Sequence, residues 1–195
     1  QGAYDEAFNG PTTDAFISKL SPDGSGLIYS TYLGGSTVNS FNSDHDSASD
    51  IAVDSTGSAY IIGRTLSSDF PTTPGAFRTT FVENNHSFTN FFVTKLLPDG
   101  SGLAYSTLIG GGGSPSGGKD ECTDIAVDNS GNAYVVGYTS SQDFPTTTGA
   151  YDTILNNGPP ASGYSPSDDI FVTKLDTTRT DTILEYSTFL GGTGG

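Results

Sequence analysis

Two clusters of carboxylates are the residues of this sequence best suited to chemistry. One cluster occupies residues 44–50, and the other occupies residues 119–124. Closely spaced carboxylate oxygens are the hard ligands that Ca²⁺ takes in proteins. The clusters therefore predict a divalent-cation site with Ca²⁺ as its cofactor. The candidate metal ligands are Asp46, Asp50, Asp120 and Asp124.

The same carboxylates also have a purely structural interpretation. Neither cluster follows the spacing of an EF-hand loop or of a calcium-binding nonapeptide repeat. Aspartates next to turns commonly accept hydrogen bonds from turn amides and from neighbouring elements. The sequence leaves both interpretations open, and the effect of a chelator on stability separates them.

Nucleophilic and phosphate-binding chemistry find no support in this sequence. The two histidines, His45 and His86, accompany no Gly-x-Ser-x-Gly motif, no Cys–His pair and no zinc motif. The glycines within residues 110–118 precede no Lys-Ser or Lys-Thr pair, so they do not form a phosphate loop. Cys122 lies among carboxylates that disfavour its thiolate, and we interpret it as an inert small residue like its counterpart Ala48.

The net charge excludes several classes of partner. The chain has 195 residues, of which 22 are acidic and 7 are basic, giving a formal net charge of −15. Nucleic-acid binding normally requires a basic surface, and anionic membrane surfaces repel an acidic chain. No apolar run approaches the ~18 residues that span a bilayer. We therefore predict no nucleic-acid partner and no membrane insertion.

The elements that must position these residues recur along the chain. Residues 50–65 recur at residues 124–139, and a Phe-x-x-Lys-Leu unit begins at Phe16, Phe92 and Phe171. Recurrence at a fixed period is typical of repeat architectures. Identical units build a scaffold more readily than a unique catalytic centre. We therefore predict that the protein is not an enzyme, and a divalent-cation-dependent hydrolase or lyase is the alternative.

Four strands fit within one period of the repeat. β-branched and aromatic residues predict strands at Asp50–Asp54, Ala59–Thr65, Phe91–Leu96 and Leu103–Gly110. A tight turn joins the first two, with a positive φ at Gly57. We predict the Ile-Ala-Val segment as the innermost strand and the Tyr-Ser-Thr segment as the outer edge. The predicted fold is all-β, with antiparallel four-stranded β-propeller blades in a partial propeller or a stacked β array.

Other recurring residues predict packing within this repeat. Lys19, Lys95 and Lys174 occupy one equivalent position, which predicts a repeated ion pair with an aspartate of a neighbouring strand; a basic binding stripe is the alternative. Recurring tyrosines predict packing between blades, although aromatic rims also bind sugars. These tyrosines are Tyr29, Tyr60, Tyr105, Tyr134 and Tyr186. The segments at residues 84–86 and 156–160 differ between copies, which is typical of loops that carry binding specificity.

The order of the motifs resembles the bacterial SBBP repeat family of seven-bladed β-propellers. The motifs are Asp-Ile-Ala-Val-Asp-x-x-Gly-x-Ala-Tyr, Asp-Phe-Pro-Thr-Thr-x-Gly-Ala, Phe-Val-Thr-Lys-Leu and Leu-x-Tyr-Ser-Thr-x-x-Gly-Gly. The resemblance implies a propeller and an extracytoplasmic location, either secreted or at the cell surface. It implies no catalytic residues.

The repeats divide the chain into about two and a half blades. We predict a half blade of two outer strands at residues 1–49 and full blades at residues 50–123 and 124–195. A closed ring needs at least about four blades, so we expect a segment of a longer propeller or an assembly of copies. The expected partners are further blades, other copies, and protein or glycan ligands. The predicted function is a non-catalytic surface scaffold for structure, adhesion or recognition, and a self-assembling extracellular filament is an alternative.

Overall fold

The computed structural model describes most of the chain. The described residues are 2–10, 12–36, 45–82, 90–111, 120–156, 168–179 and 184–192. The predicted recognition loop at residues 84–86 and all of the loop at residues 156–160 except Asn156 lie outside them. A search of the described residues finds no helix with the length and apolar character needed to cross a membrane.

Ten β-strands make up the regular structure of the described residues. They are β1 Ala15–Leu20, β2 Leu27–Leu33, β3 Ser47–Val53, β4 Ala59–Thr65, β5 Asn90–Leu96, β6 Leu103–Ile109, β7 Asp120–Val127, β8 Asn132–Thr139, β9 Asp169–Asp176 and β10 Leu184–Leu190. The strands are rich in Ile, Val, Tyr, Phe and Thr, whose branched or aromatic side chains fit a pleated surface.

The strands form three antiparallel sheets. β1 pairs with β2 in a two-stranded sheet, β3 to β6 form a four-stranded middle blade, and β7 to β10 form a four-stranded C-terminal blade. Within each sheet, strands that are consecutive in the sequence are paired, as in a meander. The predicted all-β fold of antiparallel propeller blades is confirmed.

A β-bulge recurs at the same point of both four-stranded blades. The register of β3 against β4 shifts between Ala48 and Asp50, and that of β7 against β8 shifts between Cys122 and Asp124. The extra residue lets the strand continue on the N-terminal side of the bulge. For this reason β3 begins at Ser47, three residues before the predicted start. The other predicted boundaries agree with the structure to within one residue.

The middle blade is buried on both faces. Alternate residues of β4 enter different apolar layers, because successive side chains of a strand point to opposite faces. Ile61 packs in one layer with Ile17 and Leu33 of the two-stranded sheet. Ile62 packs in the other layer with Val135 and Phe171 of the C-terminal blade. The sheets are therefore stacked face to face, as propeller blades are.

The first strands of the two complete blades lie together. β7 packs against β3, β4 and β5, and β1 contacts β3. This arrangement agrees with the predicted innermost position of the Ile-Ala-Val segment. The two copies of that segment differ in burial, since Ile51 is 51% exposed whereas its equivalent Ile125 is 6% exposed. The middle blade covers Ile125, but no sheet of the described residues covers the same face of β3.

Candidate functional site

Asp46 is a buried hydrogen-bond acceptor at the junction of two sheets. Its side chain lies just before β3 and is 1% exposed. Oδ2 accepts hydrogen bonds from the amide of Gly35 and from the hydroxyl of Ser67, both at 2.8 Å. Asp46 therefore joins the residues that follow β2 to the start of β3 and to the end of β4.

Asp120 makes the equivalent junction between the middle and C-terminal blades. Its Oδ2 accepts from the amide of Gly111 at 2.7 Å, and its Oδ1 accepts from the hydroxyl of Thr139 at 2.5 Å. Burial raises the pKa of both Asp46 and Asp120, and the hydrogen bonds that they accept act in the opposite direction. Both carboxylates are thus positioned as acceptors that hold one blade to the next.

We expect Asp46→Ala to lower the free energy of unfolding by about 2 kcal/mol, because a buried amide and a buried hydroxyl lose their acceptor. Urea unfolding at pH 7 measures this change. Asp168→Ala is the matched control, since Asp168 is exposed, and it should change the free energy by less than about 0.5 kcal/mol. Equal effects of the two substitutions would contradict the junction role of Asp46.

Asp50 and Asp124 meet across the interface between the two complete blades. Oδ2 of Asp50 accepts a hydrogen bond from the amide of Ile125 at 3.0 Å, although these residues belong to different sheets. The carboxyl group of Asp50 also interacts with that of Asp124. Burial opposes the charge of Asp50, but the amides of Ile125 and Ile51 and the bond with Asp124 lower its pKa.

The structure thus brings together two of the four predicted metal ligands. Asp46 and Asp120 make separate contacts at the two blade junctions. Within the described ranges, no group of three or more His, Cys, Asp or Glu side chains could hold a metal ion. Calcium binding stays a prediction, which thermal unfolding in CaCl₂ and in EGTA tests. A stabilisation by calcium that Asp50→Asn removes would support the metal interpretation.

Asp54 and Asp128 close the hairpin turns after the inner strands. Oδ1 of Asp54 accepts from the amides of Thr56 and Ser58 at 2.9 and 3.0 Å, and Oδ2 accepts from the hydroxyl of Tyr60 at 3.1 Å. Asp128 repeats this pattern with the amide of Asn132 at 2.9 Å and the hydroxyl of Tyr134 at 3.1 Å. Asp54 and Asp128 therefore act as turn acceptors, a structural role that aspartates next to turns commonly take.

Acid is expected to remove the contribution of these turn aspartates. Partial burial opposes the charge of Asp54, but hydrogen bonds from Thr56, Ser58 and Tyr60 lower its pKa to about 2. The folded pKa lies below the unfolded value of about 3.9. The stabilisation is therefore present above pH 4 and is lost as the pH falls toward 2.

We therefore expect Asp54→Asn to destabilise the protein at pH 7 and to have a smaller effect at pH 3, because the wild-type carboxylate loses its advantage as it becomes protonated. Urea unfolding of both proteins at the two pH values measures the difference. Asp128→Asn should behave in the same way, since hydrogen bonds from Asn132 and Tyr134 hold the pKa of Asp128 at about 2. A pH-independent effect would contradict this assignment.

The repeated lysines contact tyrosines as well as acids. Lys95 lies 3.4 Å from Asp54 and 4.7 Å from the ring centroid of Tyr60, so the predicted Lys–Asp pair is confirmed for this copy. Lys174 pairs at 2.5 Å with Glu185 and lies 5.5 Å from the ring of Tyr134. The acid thus differs between copies, whereas the tyrosine of the neighbouring strand is the same.

A repeated aromatic stack was not predicted. Phe70 stacks on Phe92 with ring centroids 4.4 Å apart, and Phe144 packs on Phe171 at the same separation. The sequence did carry a signal for these contacts, because Asp-Phe-Pro-Thr-Thr recurs at residues 69–73 and 143–147. The motif fixes the connection from the second strand of a blade to its third.

Cys122 is buried in the core of the interface and lies opposite Gly137 in the β7–β8 register. Burial raises the pKa of its thiol well above the ordinary value, and the charges of Asp120 and Glu121 add to this effect. Its equivalent Ala48 lies opposite Gly63 in the β3–β4 register. The structure agrees with the interpretation of Cys122 as a small packing residue.

Comparison with known proteins identifies the repeated unit. Residues 28–71 and 104–145 match the SBBP family, described as a beta-propeller repeat. Each match runs from the outer strand of one sheet, through the inner hairpin of the next, to the Phe-Pro connection. No curated protein matches the chain. The resemblance stated from the motifs is confirmed.

Proposed function

Because the chain carries SBBP beta-propeller repeats, we propose that it is a non-catalytic scaffold, exported or displayed at the cell surface, for structure, adhesion or recognition of proteins and glycans. One observation carries this proposal: the recurring polar residues make repeated structural contacts. The aspartates bond turns and blade junctions, and the lysines lie over tyrosines of adjacent strands. These residues build the frame in both complete blades.

Recognition is then assigned to the connections that differ between copies. The Phe-Pro-Thr-Thr part of each connection is fixed to the outer strand, where the amides of Thr73 and Thr147 donate to the carbonyls of Ser106 and Ser187 at 3.0 and 3.1 Å. The sequence beyond this anchor varies. Variable segments on a rigid frame are where binding specificity commonly resides.

An exchange of connections tests this proposal. Residues 79–89 of the middle blade would replace residues 153–168 of the C-terminal blade, and both proteins would be screened against arrayed glycans and extracellular-matrix proteins. We expect the exchange to change the bound ligands while the thermal midpoint shifts by less than about 5 °C. A ligand profile that is unaffected by the exchange, or the absence of any ligand, would contradict recognition through the connections. Protease shaving of intact source cells tests surface display.

A self-assembling filament is a second candidate, favoured by the outward face of the C-terminal blade. Ile170 and Leu190 are exposed there, whereas the equivalent residues of the middle blade, Phe91 and Ile109, are buried against the C-terminal blade. The outward face thus repeats a surface that already packs against another sheet. In a second copy, the complementary surface is the exposed face of β1 and β2.

Light scattering and negative-stain imaging test head-to-tail association. We expect particles larger than one chain, and we expect Ile170→Asp to dissociate them because it places a charge in an apolar contact. Ile154→Asp is the control, since Ile154 is exposed on a connection rather than on this face. A monodisperse 20.2 kDa particle would contradict the filament.

A further inference from the structure

Two buried carboxylate oxygens lie at the first junction, where the two-stranded sheet meets the middle blade. They are Oδ1 of Asp14, just before β1, and Oδ1 of Asp46, just before β3. Among the described residues, no donor makes a hydrogen bond to either oxygen. Asp46 is only 1% exposed. A carboxylate oxygen that leaves water without gaining a partner carries a large desolvation cost, so these two oxygens indicate a ligand.

The second junction, between the middle and C-terminal blades, supplies a donor that Asp46 lacks. There the hydroxyl of Thr139 donates to Oδ1 of Asp120. Thr65 is the equivalent of Thr139, but its hydroxyl donates to the carbonyl of Ser67 at 3.4 Å. Burial raises the pKa of Asp46, and the nearby hydroxyl of Thr65 acts in the opposite direction without completing a hydrogen bond to Oδ1. The two junctions thus differ in how their buried acid is satisfied.

Asp14 and Asp46 face the same space beside Gly34. A Cβ at Gly34 would lie 2.4 Å from Oδ1 of Asp14 and 2.8 Å from Oδ2 of Asp46. These two oxygens are therefore at most about 5 Å apart. Two oxygens that bind one Ca²⁺ at about 2.3–2.6 Å each lie within the same separation. Because residue 34 has no side chain, the space between the two carboxylates can accept a shared ligand.

A protein cation balances the acids of the second junction. Nη1 of Arg78 donates to the carbonyl of Gly110. Burial lowers the pKa of Arg78, whereas the charges of Asp143 and Asp120 raise it. The guanidinium group therefore lies close enough to both carboxylates to offset part of their charge.

The first junction has acids at the positions of Arg78 and Asn90. Asp5 is the equivalent of Arg78, since both residues donate their backbone amide to the same threonine position of the outer strand. Asp14 is the equivalent of Asn90, whose side-chain nitrogen donates to the carbonyl of Val82 at 3.0 Å. A carboxylate thus replaces a guanidinium group at one position and an amide donor at the other. Both changes favour a bound cation at the first junction.

We propose that the first junction binds a Ca²⁺ ion between the carboxylates of Asp14 and Asp46. The ion would supply the positive charge that Arg78 supplies at the second junction, and would join β1 to β3 through the residues that precede them. Oxygen is the ligand that Ca²⁺ prefers, and water and backbone carbonyls would complete its coordination. With only two carboxylates, we expect a dissociation constant of about 10⁻⁴–10⁻³ M. This site is separate from the pair of Asp50 and Asp124 on the inner strands.

Calorimetric titration of the intact, calcium-free protein with CaCl₂ at pH 7 tests this site. We expect Asp14→Asn to weaken the binding of Ca²⁺ by about tenfold or more, because it removes one of the two charged ligands. Asparagine is the residue at the equivalent position of the middle blade, Asn90, so the substitution is compatible with the fold. Asp168→Asn is the matched control, since it removes the same charge from an exposed acid, and it should leave the affinity unchanged.

Amide hydrogen exchange followed by NMR locates the ion. We expect Ca²⁺ to slow exchange at the amide of Gly35, which donates to Asp46, and to leave the amide of Ile125, which donates to Asp50, unaffected. Binding that Asp14→Asn weakens, with protection of Gly35, supports the proposal.

Three results would overturn the calcium site. One is the absence of Ca²⁺ binding, which would mean that Asp14 and Asp46 share a proton instead. Another is equal affinity of the wild-type and Asp14→Asn proteins, or an equal loss in Asp168→Asn. The third is binding that Asp50→Asn removes and Asp14→Asn retains, which would place the ion at the inner strands.

Discussion

Replacing Phe92 or Phe171 by alanine is expected to lower the free energy of unfolding by about 3–5 kcal/mol, while the same change at Phe16 should alter it by less than about 0.5 kcal/mol. The three phenylalanines occupy one position of the repeat. Phe92 and Phe171 are fully buried and stack on Phe70 and Phe144, whereas Phe16 is largely exposed. The loss of stability at Phe92 and Phe171 follows from the apolar contacts that are removed and from the cavity that truncation leaves.

Urea unfolding followed by circular dichroism measures these three variants. Substitutions at the two buried sites should lower the urea midpoint of unfolding. They should change the urea dependence of the unfolding free energy little, because that slope reports the surface exposed on unfolding. The Phe16 variant serves as the control, since it carries the same chemical change at the same point of the motif. A comparable loss at all three sites would show that Phe16 is covered in solution, and would contradict its exposed position.

Gly63→Ala and Gly137→Ala are expected to destabilise the fold by about 3 kcal/mol each. The added Cβ would overlap the carbonyl oxygen of Ser47 at Gly63 and that of Glu121 at Gly137, and would also press on the phenylalanine ring beneath. Both glycines lie beside the recurring bulge, where the inner strand approaches its neighbour closely. Backbone atoms cannot move aside as a flexible side chain does.

Gly192→Ala is the control for this pair, because a Cβ at Gly192 would meet no atom within 4 Å. It should change the free energy of unfolding by less than about 0.5 kcal/mol. Thermal and urea unfolding of the three variants at equal concentration provide the comparison. Full stability of Gly63→Ala would mean that the bulge adjusts to a methyl group.

The sequence determined the strands and their order because these properties are local. Alternating β-branched and aromatic residues between Asp-x-x-Gly and Pro-Asp-Gly turns specify strand and turn without reference to the rest of the chain. The positive φ predicted for Gly57 is present, and the equivalent Gly131 has the same φ of 86°. Recurrence then extended each local conclusion to every copy, which is why the blades and the SBBP family were predictable.

The tertiary structure decided which copies of a repeated residue are buried and which carboxylates meet. Phe16 and Phe92 belong to the same motif, but only Phe92 has a strand and a glycine above it. Asp46 and Asp50 are neighbours in sequence, yet one bonds within a blade junction and the other reaches Ile125 of the next blade. Burial and contact depend on what packs against each sheet, and a repeated sequence specifies the same side chain in every copy whether or not a neighbour covers it.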